Sequence, residues 1–256
     1  MAYGSQRVIG ILQPMYLPWS GYFEQIARAD HFVLMDDVQY TKRDWRNRNR
    51  ILTRTGPMWL TVPVRRAPLA TPLMEIAIDY SRDWIREHLR SIEVNYRAAP
   101  HFEPLFGELT DVLGRRYERL VELNAATLTL LMKHLAIATT ISKSSDVPRN
   151  PARYVRDGDA RNERILEICQ HHDARVLYDG KRAADFLDVA KFERAGIATV
   201  FQDYVPVPYR QVRGPFVSHL SVIDLVMNTG PDAPRILRSP LPSCPPLDGS
   251  RAHAER

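Results

Sequence analysis

Apolar residues along this chain fall into short unbroken runs and longer periodic stretches. The unbroken runs stand at Val8–Leu12, His31–Met35, Ala138–Ile141, Arg175–Tyr178 and Ile197–Phe201. Each is the length of a buried strand and too short for a buried helix. Between them the apolar spacing becomes helical. From Tyr22, Phe23, Ile26 and Ala27 share a face while Glu24, Gln25 and Arg28 lie opposite. Further helices are predicted over Asp83–Tyr96 with Ser81 as N-cap, Leu105–Leu113, Arg115–Leu135, Ala160–His171, Ala183–Phe186, Val189–Ala195 closed by Gly196, and Ser221–Asn228. In the long stretch ending at Leu135, Leu120, Leu123, Leu128, Leu131 and Leu135 recur at core spacing. A β-hairpin is predicted over Arg50–Val64 with Thr55-Gly56-Pro57 at its turn, and one more short strand over Met74–Ile78.

Strands alternating with helices predict an α/β fold. The expected architecture is a mostly parallel open sheet with flanking helices, an inserted hairpin and a helical insertion at about 81–137. Residues 1–238 are expected to form a single domain. The stretch 239–256, rich in proline, serine and arginine, is expected to be disordered. The segment Arg149–Asp159 reads as flexible.

Composition narrows the class. In 256 residues, 45% hydrophobic and 25% charged content is that of a globular protein with a sizeable core. No apolar run is long enough for a bilayer and no signal-peptide core is visible, so no membrane insertion and a cytoplasmic location are expected. Cys169 and Cys244 are too few and too far apart for a disulfide framework or a zinc knuckle, and no metal site is expected.

The net charge of +5 changes the picture, because it is local. Between Tyr40 and Arg54 stand six cations, Lys42, Arg43, Arg46, Arg48, Arg50 and Arg54, against the single acid Asp44. Arginine binds phosphate or carboxylate in a bidentate manner and stacks on flat rings. This segment starts at a predicted strand end, beside Asp36-Asp37 and the loop Gln13–Gly21. Ligands of open α/β sheets bind beyond the carboxyl ends of the strands. Asp36-Asp37, Ser142-Lys143-Ser144-Ser145, Asp179-Gly180-Lys181 and Gln202-Asp203 would make one polar rim there.

Candidate roles follow from residue type. Adjacent strand residues point to opposite sides, so one of Asp36 and Asp37 faces the crevice as an acid or base, with Asp203 as a further candidate. A pair between Asp37 and Arg46 is expected over the rim. Lys42, Arg46 and Arg48 supply cations for an anion. The amides of Gln13, Gln39, Asn47, Asn49, Gln202 and Gln211 can read polyols or amides. Tyr16, Trp19, Tyr22, Trp45 and Tyr209 offer rings or hydroxyls, and Ser144 and Ser145 can cradle a phosphate if a helix N-terminus follows.

The motifs Gln13-Pro14 with Tyr16, Pro18-Trp19 and Gly21-Tyr22-Phe23 stand in order with Asp36-Asp37-Val38-Gln39-Tyr40 and Trp45-Arg46-Asn47-Arg48-Asn49. Trp59-Leu60-Thr61-Val62-Pro63-Val64, Phe201-Gln202-Asp203-Tyr204 and Leu220-Ser221 with Asp224-Leu225 and Asn228 continue the series. Together they resemble the WbqC-like family of bacterial biosynthetic proteins over nearly the whole chain. The resemblance implies a place in surface-polysaccharide or natural-product biosynthesis. Where the family's pattern carries histidines, this chain has Leu12 before Gln13-Pro14 and Pro206 after the Gln-Asp-Tyr segment, and its fourth strand ends in Asp179-Gly180-Lys181 rather than a Ser-Gly-Pro loop. A second likeness is architectural: strand, proline-containing loop and Gly-aromatic helix start are similar to HUP-type nucleotidyltransferases, with Gly21-Tyr22 where a Gly-His pair stands.

The resulting expectation is a cytoplasmic group-transfer or amide-forming enzyme, a transferase or ligase. Its substrate would be phosphorylated or nucleotide-linked, such as an amino sugar, with ATP or another nucleotide or acyl donor as co-substrate. Two alternatives remain: a module binding RNA, for example an aminoacyl-tRNA, and a pathway scaffold tethered by the proline-rich tail.

Overall fold

The computed structural model describes residues 6–42, 44–150 and 159–238. Its centre is a five-stranded parallel sheet. β1 (Val8–Leu12), β2 (His31–Leu34), β5 (Thr140–Lys143), β6 (Val176–Asp179) and β7 (Ala198–Phe201) stand in the order β5-β2-β1-β6-β7. β1 pairs with β2 from Ile9↔His31 to Leu12↔Leu34, and with β6 from Val8↔Val176 to Gly10↔Tyr178. The chain therefore winds outward from β1 in one direction and from β6 in the other. The reversal lies between them, the place where open sheets form a crevice.

Alternation along the strands divides the core. Phe32 and Leu34 face α1 (Ser20–Arg28), while Ile9, Ile11, Val33 and Leu177 face α5 (Ala160–His171) and α6 (Val189–Arg194) through Ile165, Ile168, Cys169 and Phe192. The larger core also takes in α2 (Trp84–Tyr96), α3 (Phe102–Gly114), α4 (Leu120–His134), α7 (Ile223–Thr229) and α8 (Ala233–Leu237). The hairpin of β3 (Arg48–Thr53) and β4 (Gly56–Thr61) closes this side by burying Ile51, Leu52 and Leu60.

The expected α/β architecture is therefore present, and the differences have local causes. Met74–Ile78 is not a strand: Leu73–Glu75 is a 3-10 turn, after which Ala77 and Ile78 form isolated bridges to Arg119 and Val64. The helix predicted from Arg115 begins only at Leu120, because Arg116 sits at φ 55° and the next residues bond across to the Ile76–Ile78 segment. Asp83, not Ser81, caps α2 by accepting from Arg86 N at 3.4 Å. Ala183–Phe186 is replaced by a 3-10 turn over Lys181–Asp185, and α8 was not foreseen. In the segment expected to be flexible, Arg149 and Asn150 are held by Asp37 and Glu167, while residues 151–158 and the expected disordered tail lie outside the described residues.

Candidate active site

Beyond the carboxyl end of β1 the chain enters the loop 13–19. Tyr22 of α1 donates its hydroxyl to the Gln13 carbonyl at 3.2 Å, and the Gln13 side-chain oxygen accepts from Arg46 Nε. Arg46 also lies 3.5 Å from Asp44, with 14% of its side chain exposed. Burial lowers the guanidinium's proton affinity, and the negative charge of Asp44 opposes that. Asn124 of α4 ties this corner together, giving its amide to the carbonyls of Arg46 at 2.9 Å and Pro14 at 3.3 Å. Neighbouring Asn47 donates to the Val62 carbonyl at 2.8 Å. Both residues are buried, and the side-chain oxygens Asn47 Oδ1 and Asn124 Oδ1 have no hydrogen-bond partner. Each such buried acceptor costs about 1–3 kcal/mol until a donor meets it.

Across the reversal, β6 ends in Asp179. Burial raises its carboxyl from 3.8 to about 6, against the Gly180 amide and the Gln25 side chain, which favour the charged form. A Cβ on Gly180 would meet nothing, so the strand end opens onto free space. Below it, buried Glu24 accepts from Tyr178, Arg28 and, at 2.5 Å, Gln202, whose amide also reaches the Gly21 carbonyl at 2.7 Å. Asp179 belonged to the recognised polar strand ends, but its burial, which makes it a candidate base, depends on packing that sequence spacing does not reveal.

Other residues expected at the site are committed elsewhere. Asp37 faces Arg164 at 2.8 Å and Arg149 at 2.7 Å, not Arg46. Burial alone would raise its carboxyl, but hydrogen bonds from Ser144 and Arg149 and the charge of Arg164 hold it below the ordinary aspartate value. Ser144 donates to Asp37 at 2.5 Å and accepts from the Asp36 amide at 3.1 Å, while Ser145 bonds Asp36 through its amide and hydroxyl at 3.0 and 2.9 Å. The seryl hydroxyls therefore brace the rim, and a 3-10 turn over Ser144–Asp146 follows β5 rather than an α-helix. Asp203 is exposed, 3.8 Å from Lys181.

Tyr16 is fully buried with its hydroxyl 3.0 Å from His88 Nδ1. Asn49 is buried and spends its amide on Leu17 O at 2.8 Å. Tyr209 and Gln211, expected to meet a ligand, instead donate at 2.6 and 2.7 Å to buried Asp224 of the Asp224–Asn228 motif. Gln39 is exposed and bonds Leu69 O. Trp19 stacks on His219 with ring centroids 4.9 Å apart and lies across Gly21, where a Cβ would sit 2.2 Å from its ring. Lys42, Trp45 and Arg48 lie on the adjoining outer surface described below. Nucleotidyltransferase-like use of the helix start is not confirmed, since Tyr22 is buried and bonded to Gln13.

With Gln13, the Trp45–Asn49 motif and the Asp224–Asn228 helix placed around one sheet end, the match to a known family can be read on the structure. The profile of the WbqC-like protein family covers residues 13–236. The chain belongs to the WbqC-like family. Among its relatives, the uncharacterised protein Rv1507c of Mycobacterium tuberculosis is 36% identical over 235 residues, covering 91% of this chain and 98% of that protein. No solved structure matches. Among the described residues no cluster of three metal-ligating side chains occurs, and no helix is long and apolar enough to cross a membrane.

Proposed function

We propose that this WbqC-like protein is a biosynthetic group-transfer enzyme that forms an amide on a phosphorylated or nucleotide-linked amine such as an amino sugar. The observation carrying this reading is the corner at the end of β1: a largely buried guanidinium, Arg46, and two buried amide oxygens that lack donors, Asn47 Oδ1 on the next residue and Asn124 Oδ1 on the side chain bonded to the Arg46 carbonyl. A guanidinium suits a phosphate or carboxylate, and amide oxygens suit substrate N–H and O–H groups. An amino sugar phosphate offers both.

Asp179 is the proton acceptor in this reading, because a carboxyl raised to about 6 can take a proton near neutrality. The acceptor's nitrogen forms a bond to the acyl carbon, and that carbon's bond to the donor's oxygen or sulfur breaks. The departing atom keeps the electron pair, and the amine's proton passes to Asp179. Asp37, with Arg149 and Arg164 on its carboxylate, holds the rim in place.

The test is a thermal-shift screen with nucleotide sugars, sugar phosphates, ATP and acyl-CoA, followed by mass spectrometry of mixtures containing an amino-sugar nucleotide and an acyl or aminoacyl donor. Phosphorylated amines are expected to raise Tm by mass action. Arg46→Ala should weaken that binding by about 2–3 kcal/mol with the fold retained, and Arg46→Lys should restore only part, since it keeps the charge and loses the fork. Asp179→Asn should spare binding and abolish product. Absence of any shift with phosphorylated compounds overturns the proposal.

A further inference from the structure

The positive charge of this protein is concentrated in one segment, whose described cations other than Arg46 lie outside the crevice. Residues 40–66 hold eight lysines and arginines and one acid, Asp44, so the rest of the chain sums to a small negative charge. Asp44 is itself paired with Arg46. On the outer face of the hairpin, Arg50 stands opposite Trp59 and Arg48 opposite Thr61. Trp59 is 41% exposed, although indoles are normally covered. Arg48 lies 4.3 Å from its ring centroid, Trp45 lies 5.0 Å away at 47°, and Arg50 reaches 5.6 Å from both indoles. The result is a cluster of two guanidinium groups around two tilted indole rings.

The same chain then runs through Val62–Val64 into a surface recess of about 310 Å³ lined by Tyr40, Lys42, Val64, Arg65, Arg66 and Ala67. Among the described residues, three cations and no carboxylate line it. From Trp59 to Arg65 is six residues of extended chain, roughly 20 Å. A lone phosphate or a mononucleotide would use only one end of such a surface.

We infer that this face binds single-stranded nucleic acid, with backbone phosphates in the Lys42–Arg65–Arg66 recess and a base stacked on Trp59. Sequence-tolerant single-strand binding needs a cationic track together with aromatic platforms, and both occur here, the indole on the hairpin and the recess on the chain flanking it. A duplex hides its base faces and leaves Trp59 nothing to stack on, so unpaired strand is the occupant that uses the whole surface. This assignment does not depend on the reaction proposed for the crevice.

The experiment is fluorescence anisotropy of the full chain with a labelled oligouridine of about 15 nucleotides. A hairpin duplex and a sulfated polysaccharide serve as competitors, and the titration is repeated at about 50 and 200 mM salt. Binding of the single strand is expected, with a log–log salt slope near −2 for about three phosphate contacts at −0.7 each. Trp59→Ala should weaken it about tenfold with little change of slope. The exposed pair Arg65→Ala and Arg66→Ala should flatten the slope to about −0.7, since only Lys42 is left. Circular dichroism melts establish that the variants are folded. Three results each overturn the inference: no saturable binding at about 50 mM salt, equal affinity for the duplex, or a polysaccharide that displaces the RNA as well when Trp59 is alanine.

Discussion

Two aspartates lying near one rim have opposite electrostatic fates. Asp37 is surrounded by Arg149, Arg164 and Ser144, which hold it ionised. Asp179 has a backbone amide and a side-chain amide but no cation, and burial raises its carboxyl to about 6. The consequence for stability has a definite sign. A carboxyl raised from 3.8 to about 6 binds its proton more tightly in the folded state, so its contribution is full below pH 3.8 and is lost as pH rises through 6. At neutral pH the native chain therefore carries an unfavourable buried charge, worth on the order of 3 kcal/mol. Asp179→Asn should raise the urea midpoint above wild type at pH 7.5, and the gap should close as pH falls toward 4. A midpoint difference independent of pH would show that Asp179 is solvated and unsuited to the role of base.

At the scale of elements, the hairpin is attached to the helical layer by a polar relay within an apolar core. The Leu52 amide of β3 donates to the Tyr96 hydroxyl at 2.8 Å, and that hydroxyl donates to Asp224 at 2.8 Å. Asp224 is fully buried on α7 and also accepts from Tyr209 and Gln211. One side chain on α2 thus joins β3 to α7, and the hairpin carries both Arg46's neighbours and the surface platform. Tyr96→Phe leaves the ring in place and strips both bonds, orphaning the Leu52 amide and taking one donor from the buried Asp224 carboxylate. The expected cost is about 2–4 kcal/mol by denaturant unfolding, the sum of one neutral and one charged hydrogen bond. Hydrogen exchange should quicken first at Leu52. A loss below about 0.5 kcal/mol would mean that the hairpin is held by Ile51, Leu52 and Leu60 alone.

For the whole molecule, a buried histidine and a half-buried one set the acid limit. His88, under Tyr16 and beside the hairpin, is pushed down to about 4 by burial, and His172, behind the sheet beside His31, is lowered to about 4 by burial and its cationic neighbours. A histidine with a depressed folded pKa contributes stability that is full above its unfolded value of 6.5 and is lost as pH falls toward 4. Asp179 works in the opposite direction over much of that window, so the wild-type curve should be flatter than the two histidines together predict. In Asp179→Asn the histidine loss should stand alone, at about 1.4 kcal/mol per pH unit for His88. His88→Gln in that background should remove that share and leave the part due to His172. If the double variant still loses stability at the same rate between pH 6.5 and 4, another group governs acid unfolding.

Much of this architecture was readable because it rests on local rules. Strand positions followed from apolar runs, and helix faces from spacing, as with Leu120, Leu123, Leu128 and Leu131, all of which are buried. Turn chemistry placed the hairpin, and family membership followed from motif order. The chain by itself also determined that its charge is concentrated in one segment. What tertiary structure alone decided is which partners meet. Asp37 finds Arg164, 127 positions away, instead of Arg46, and Ser144 is drawn to Asp36 and Asp37 from 108 and 107 positions away. Tyr16 and Asn49 are consumed as scaffold, whereas Asn124 from α4 enters the site. Burial and pairing over such separations depend on how layers stack, and residue type and spacing carry no record of that stacking. The same reason explains Asp179: its place at a strand end is local, but its raised pKa is created by the helices and strands that close over it.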